Sequence, residues 1–179
     1  MQRRHFVTAA LGTATLAAAR PLLASNWPER PITFLCPWPA GGTADQSMRA
    51  LCTVAAKVLG QAIAVENKAG ASGMIGAKAL ASAKADGYTI GQIPISVTRF
   101  AQLGTFQGDP RKDFTYIART SGQTFGIAVK TDAPFKTLKD FVDAAKAKPG
   151  EVTYAHAGVG GATHVGMEQF AGAAGIQLN

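Results

Sequence analysis

The chain has 179 residues, 47% hydrophobic and 16% charged, with a formal net charge of +7, enough apolar material for one sizeable core or parts of two. Its lysines and arginines are spread out, and no basic stretch is interleaved with aromatics, which argues against a nucleic-acid partner. The two cysteines, Cys36 and Cys52, have no zinc-like spacing; they read as buried free thiols, and no metal or other cofactor is expected.

Taken in chain order, Arg3 and Arg4 precede an apolar, Ala-rich run from Val7 to Ala19, and Leu22, Leu23 and Ala24 offer a small-residue cleavage site. Residues 1–24 therefore read as an export signal, too short for a membrane span, with paired arginines that suggest the twin-arginine route to the periplasm. Removing it takes three arginines and no acids, so 18 basic residues become 15 against 11 acidic ones, a balance of +4. That mild excess favours small organic anions.

Ile32 to Cys36 is a continuous apolar run of strand length, followed by the turn Pro37-Trp38-Pro39-Ala40-Gly41-Gly42. Met48, Leu51, Cys52, Ala55, Val58 and Leu59 then recur at helical spacing until Gly60 stops them. A second strand is expected over residues 62–65, a loop over 66–70, a helix over 73–83 and a third strand over 88–93. This β-α-β-α-β order is that of a parallel sheet covered on both faces. Residues 94–120 lose their periodicity and read as irregular, with one short helix near 98–103. A second unit starts near residue 121, with strands expected over 125–129 and 152–155 and helices over 138–147 and 163–174. The chain ends directly after that helix, where a parallel sheet needs its next strand. The expected domains are thus 25–120 and 121–179, the second incomplete.

Two strand-to-helix turns carry the chemistry, PWPAGGTAD at 37–45 and HAGVGGATH at 156–164. Adjacent glycines clear side chains from a turn, and a helix opening behind them presents unpaired amides and a positive dipole end, a favourable seat for an anion. In open α/β sheets ligands bind at the carboxyl ends of strands, so two such turns in separate units can face one another across a cleft. Neither fits a nucleotide fingerprint: Gly41-Gly42-Thr43 has no P-loop lysine, and Gly158-Val159-Gly160 lacks the third glycine of a dinucleotide site. Gly70-Ala71-Ser72-Gly73 reads as a helix start packed on a strand, not as the nucleophile elbow G-x-S-x-G, and Ser72 ranks no higher than Ser47 or Ser96. Asp45 is as well suited to capping its helix as to touching a ligand. His156 and His164 lack a nearby cysteine or carboxylate to complete a metal or catalytic site. A small exported hydrolase or transferase using His156 or His164 is the alternative, and a non-functional remnant a third reading.

The runs WPERPITFLCPWPAGGTAD, LGQAIAVENKAGASGMIGAKALASAKADGYTI, DPRKDFTYIA and AKAKPGEVTYAHAGVGGATHVGMEQF, in that order, resemble the Bug-type periplasmic solute-binding proteins. These are the extracytoplasmic receptors of tripartite tricarboxylate transporters. The resemblance implies an α/β, periplasmic-binding-protein-like (type II) fold of two parallel-sheet domains, the second incomplete in this chain, closing on a small organic carboxylate. It implies a binding protein and not an enzyme, a monomer when complete, that passes its ligand to membrane subunits of the transporter. By position, Trp38, Ala40, Gly41, Gly42 and Asp45 would form the first wall, and Ser96 and Thr98 would add polar contacts after the third strand. His156, Gly158, Gly160, Gly161, Ala162 and Thr163 would form the second wall, with His164 at its helix start. The family commonly has serine where this chain has His156, and serine or threonine near Gly161 and Ala162, so this second wall has lost hydroxyl donors. Family members also continue well beyond the position of Asn179.

Overall fold

The computed structural model describes residues 26–122 and 124–179; the expected export signal lies outside them. Three strands, β1 (Ile32–Cys36), β2 (Ile63–Asn67) and β3 (Thr89–Gly91), form a parallel sheet in the order β2-β1-β3. The most apolar run takes the centre, as it must when both its edges are paired and both its faces covered. Ile32 stands opposite Ile63 and Cys36 opposite Asn67, while Thr33 stands opposite Thr89. Alternation sends Phe34 and Cys36 to one face, where Met48 and Cys52 of α1 (Thr43–Leu59) pack on them with Trp38, Ile63, Val65 and Ile90 around the cluster. Leu35 faces the other way, where a Cβ on Gly91 would meet both it and Leu80 of α2 (Met74–Ala81). Both cysteines are free and buried, and burial pushes the Cys52 thiol up.

β2 runs on through Glu66 and Asn67, which the sequence reading assigned to a loop, because their backbone pairs with Leu35 and Cys36. β3 is shorter than expected and turns away at Gln92, whose amide makes a last bond to Leu35 O. The helix near residue 98 is α3 (Ser96–Gln102), and the stretch expected to be irregular also holds α4 (Pro110–Asp113), started by the Asp109 side chain accepting from Arg111 N. Val97 and Phe100 of α3 join Met74, Ala77 and Phe106 in a second cluster.

α2 lies unusually close to the root of the first glycine turn. A Cβ on Gly76 would stand 2.8 Å from Pro37 Cβ, 2.9 Å from Pro37 Cα and 3.2 Å from Lys68 O. Only a residue without a side chain permits that approach.

Further on, α5 (Leu138–Ala147) has the expected bounds, opened by a capping box in which Thr137 and Asp140 satisfy one another's amides. Phe141 and Ala145 of α5 pack with Ala171 of α6 (Ala162–Ala174) and with Ile176. The strands expected at 125–129 and 152–155 do not form. These segments flank a cavity of about 230 Å³, lined also by Phe135, Phe141 and Met167, so neither reaches the other's amides and Ile127 and Val129 stay exposed. Residues after α6 return to one of these segments. Asn179 N donates to Val152 O and Tyr154 N to Asn179 O, the parallel pattern, with Gly150 N donating to Gln177 O.

Candidate functional site

The first turn is held from beneath. Asp45, the third residue of α1, is 2% exposed and accepts bonds from Gly41 N (2.8 Å), Arg49 Nε (3.0 Å) and Asn67 Nδ2 (2.8 Å). The Arg49 guanidinium, then Asn67, then the Gly41 amide bring its pKa down to about 2. Asn67 also donates to Trp38 O and accepts from Arg49 Nη2, so the end of β2 clamps both ends of the turn. Asp45 therefore positions the turn from inside, and the surface falls to Ala40, Gly41 and Gly42, all exposed. Gly42 caps α1 with no side-chain bond. Helix geometry leaves the amides of Thr43, Ala44 and Asp45 without intrahelical acceptors.

In the second turn, the amides of the glycines are largely spent internally. Gly158 N donates to His156 Nδ1 (3.0 Å), Gly160 N to His164 Nδ1 (3.2 Å), Gly161 N to Gly158 O and Ala157 N to Thr163 Oγ1. An imidazole that accepts at Nδ1 carries its neutral proton on Nε2, so both rings present N–H donors. The rings lie together, with centroids 4.6 Å apart. His164 Nε2 is 4.0 Å from Glu168 Oε1, which also accepts from Tyr154 OH. Gly161 caps α6 without a side-chain bond, leaving the amides of Ala162, Thr163 and His164 without intrahelical acceptors. The unspent amides of this turn are those of Ala162, Thr163 and His164, at the start of α6.

The segment between the two turns is the third glycine stretch. Gly73 packs on Pro37 and Pro94, while Ser72 Oγ donates to Ala157 O and Ser72 O accepts from Ser96 Oγ. A Cβ on Gly158 or Gly161 would fall 2.6 or 2.5 Å from Ser72 Oγ. Ala71 and Ser72 are both held at positive φ, 46° and 53°, a conformation costly for residues with side chains. The sequence reading passed over Ser72; the glycines on either side of it are the signal of an unusual backbone path. Ser96 is buried and serves this joint, whereas Thr98 is exposed and bonds Ile95 O.

Three buried polar atoms near these turns have no hydrogen-bond partner among the described residues: Trp38 Nε1, Gln92 Oε1 and Arg99 Nη2. Trp38 and Gln92 follow the carboxyl ends of the adjacent strands β1 and β3, the edge where open α/β sheets bind ligands.

Residues 47–179 match the family described as tripartite tricarboxylate transporter family receptor, TctC. The chain belongs to that family. It is 39% identical to the UPF0065 protein in the gbd 5' region of Cupriavidus necator, over all of this chain and 57% of that one. A solved structure described as a periplasmic transporter superposes with TM-score 0.71 at 31% identity, over 85% of this chain and 52% of that one. R. palustris Rpa4515 with adipate gives 0.70 at 26%, and MatC from Rhodopseudomonas palustris with bound malate 0.65 at 26%; each covers 86% of this chain and 52% or 53% of the other. This TctC-family chain thus spans about half the length of the relatives it matches. The fold is that of the periplasmic binding proteins of this type, and its members are solute-binding receptors and not enzymes. That removes the hydrolase or transferase reading of His156 and His164.

Proposed function

We propose that the protein is an extracytoplasmic receptor for a small organic carboxylate, delivering it to the membrane subunits of a tripartite tricarboxylate transporter. The observation that carries this reading is the pair of glycine turns that open α1 and α6 at Gly42 and Gly161 with no side-chain cap, in a receptor-family chain; α2 and α3 also start without one, whereas Asp109 and Thr137 cap α4 and α5. A carboxylate bound there completes orphan amides and meets two positive dipole ends. The adipate and malate of the two R. palustris proteins are ligands of that chemistry.

In this reading residues 25–120 and 121–179 belong to two domains, and ligand selects a closed arrangement about the Ser72 joint. Ala40, Gly41 and Gly42 contribute the first wall, and Ala162, Thr163 and His164 the second, with His156 Nε2 replacing the hydroxyl donors the wall lacks. Residues 1–24 direct export to the periplasm. Isothermal titration of the chain with dicarboxylic acids of four to six carbons, adipate and malate included, tests the reading. Saturable binding of at least one acid is expected; a flat response to all of them overturns it.

A further inference from the structure

Two imidazoles hold the shape of the second turn. His164 Nδ1 accepts from Gly160 N at 3.2 Å and His156 Nδ1 from Gly158 N at 3.0 Å, and the ring centroids lie 4.6 Å apart. Each bond requires an Nδ1 without a proton, so the turn keeps this form only while both rings are neutral. Histidine is the side chain whose charge ordinarily changes between about pH 5 and 8, and an imidazolium donates from both nitrogens. A proton on Nδ1 sets N–H against N–H and removes the bond.

The surroundings decide which ring takes the proton and which partner moves. His164 Nε2 stands 4.0 Å from Glu168 Oε1, which also accepts from Tyr154 OH, so an imidazolium there gains a counter-charge. His156 lies beside the Tyr154 ring, and no described carboxylate pairs with it. Charge on His164 then disfavours a second charge on the adjoining His156 ring. From α3, Arg99 brings its own positive charge to the turn, Nε donating to Gly160 O at 3.3 Å, and so opposes an imidazolium that stays in place. Gly160 cannot follow the ring, being buried and held at its carbonyl, with α3 so close that a Cβ would fall 2.9 Å from Phe100 Cε1 and 3.1 Å from Leu103 Cδ1. The His164 ring can move, since 26% of its side chain is already exposed.

We propose that His164 is a proton-operated latch on the second turn: the neutral ring occupies Gly160 N–H, and the protonated ring swings to Glu168 and surrenders that amide to a carboxylate. The latched form binds fewer protons than the released one, so falling pH populates the release. The released turn offers an anion one more backbone donor and one more positive charge. Resting on the carboxylate-receptor reading, this makes affinity for a carboxylate rise as pH falls through the imidazole range.

NMR of the wild-type chain from about pH 8 to 5.5, the range in which histidine titrates, follows the His164 ring and the Gly160 amide together. The amide is expected to shift with the midpoint of the ring. In His164→Asn, Oδ1 stands in for Nδ1 as an acceptor that takes up no proton, and the shift is expected to vanish. A Gly160 amide that stays put while the His164 ring protonates overturns the latch, whether or not any acid binds and whether or not the variant folds. Calorimetry with malate at about pH 8 and 6.5, where carboxylates stay ionised, reads the consequence. Kd is expected to tighten about three- to tenfold in the wild-type chain and less than about twofold in His164→Asn. Equal tightening in both chains, or none in the wild type, refutes the link between latch and ligand. A Gly160 amide that moves with the ring in a chain that binds no acid at either pH sinks the receptor reading and keeps the latch.

Discussion

Replacing Gly76 by Ala isolates the close approach that sets the first turn. In an unobstructed helix, Gly→Ala is stabilising by about 0.5–1 kcal/mol, since Ala loses less backbone freedom on folding. Gly166, in α6, provides that reference because a Cβ there meets nothing within 4 Å. At Gly76 the same methyl would lie 2.8 and 2.9 Å from Pro37 Cβ and Cα and 3.2 Å from Lys68 O. Pro37 Cα and Lys68 O are backbone, and the ring of Pro37 is tied to its own chain, so nothing can swing aside. α2 or the turn must shift instead, at an overpacking cost of about 1–3 kcal/mol. Set against the propensity gain, Gly76→Ala is expected to lose about 1–2 kcal/mol of stability, while Gly166→Ala gains a few tenths to about 1. Urea denaturation followed by tryptophan fluorescence measures both, the midpoint being compared at constant slope. Because the displaced turn carries Gly41 and Gly42, ligand affinity should fall in Gly76→Ala and hold in Gly166→Ala. A Gly76→Ala chain as stable as Gly166→Ala would refute the claim that α2 is packed to contact against Pro37.

Acid stability should report the Asp45 clamp. Its carboxyl is lowered from 3.8 to about 2 in the folded chain, so its contribution is fully present above the unfolded value and is lost as pH falls from about 4 through about 2. Asp109, also lowered to about 2 by Arg111, acts in the same window. Asn67→Ala removes the second-largest cause of the Asp45 shift, so the acid transition should begin at higher pH in that variant; superimposable transitions by circular dichroism would count against the clamp. In the second unit, Thr137→Ala deletes the capping box of α5 and should cost about 1 kcal/mol. A urea midpoint unchanged from wild type would show that α5 does not depend on its cap.

Much of the first unit was legible because its signals are local. The apolar run at Ile32–Cys36, the helical spacing of Met48 and Cys52 and the stop at Gly60 each follow from chain chemistry over a few residues, and β1 and α1 appear where expected. Glu66 and Asn67 were not legible as strand residues, since polar side chains at the end of β2 are tolerated there only because β1 supplies the backbone pairing. The strand expected at 125–129 failed for the converse reason: Phe125, Ile127 and Val129 have strand character, but a strand exists only when a partner lies beside it, and at 152–155 the pairing is confined to the two bonds with Asn179.

The site shows the same division. The two glycine turns, the helices behind them and the anionic class of ligand they suit could be read from composition and order alone, because unpaired amides at a helix start are a property of the chain itself. Three features belonged to the tertiary structure: Asp45 turned inward to Arg49 and Asn67, Ser72 was drawn into the joint between the turns, and the Gly158 and Gly160 amides were taken up by His156 and His164. The Asn67 bond to Asp45 and the Ser72 bond to Ala157 join groups distant in the sequence, whereas the His156, His164 and Arg49 bonds span two to four residues and depend on how the surrounding packing sets each side chain. The sequence names the donors and acceptors; packing in three dimensions decides which of them meet and which, like Arg99 Nη2, are left over.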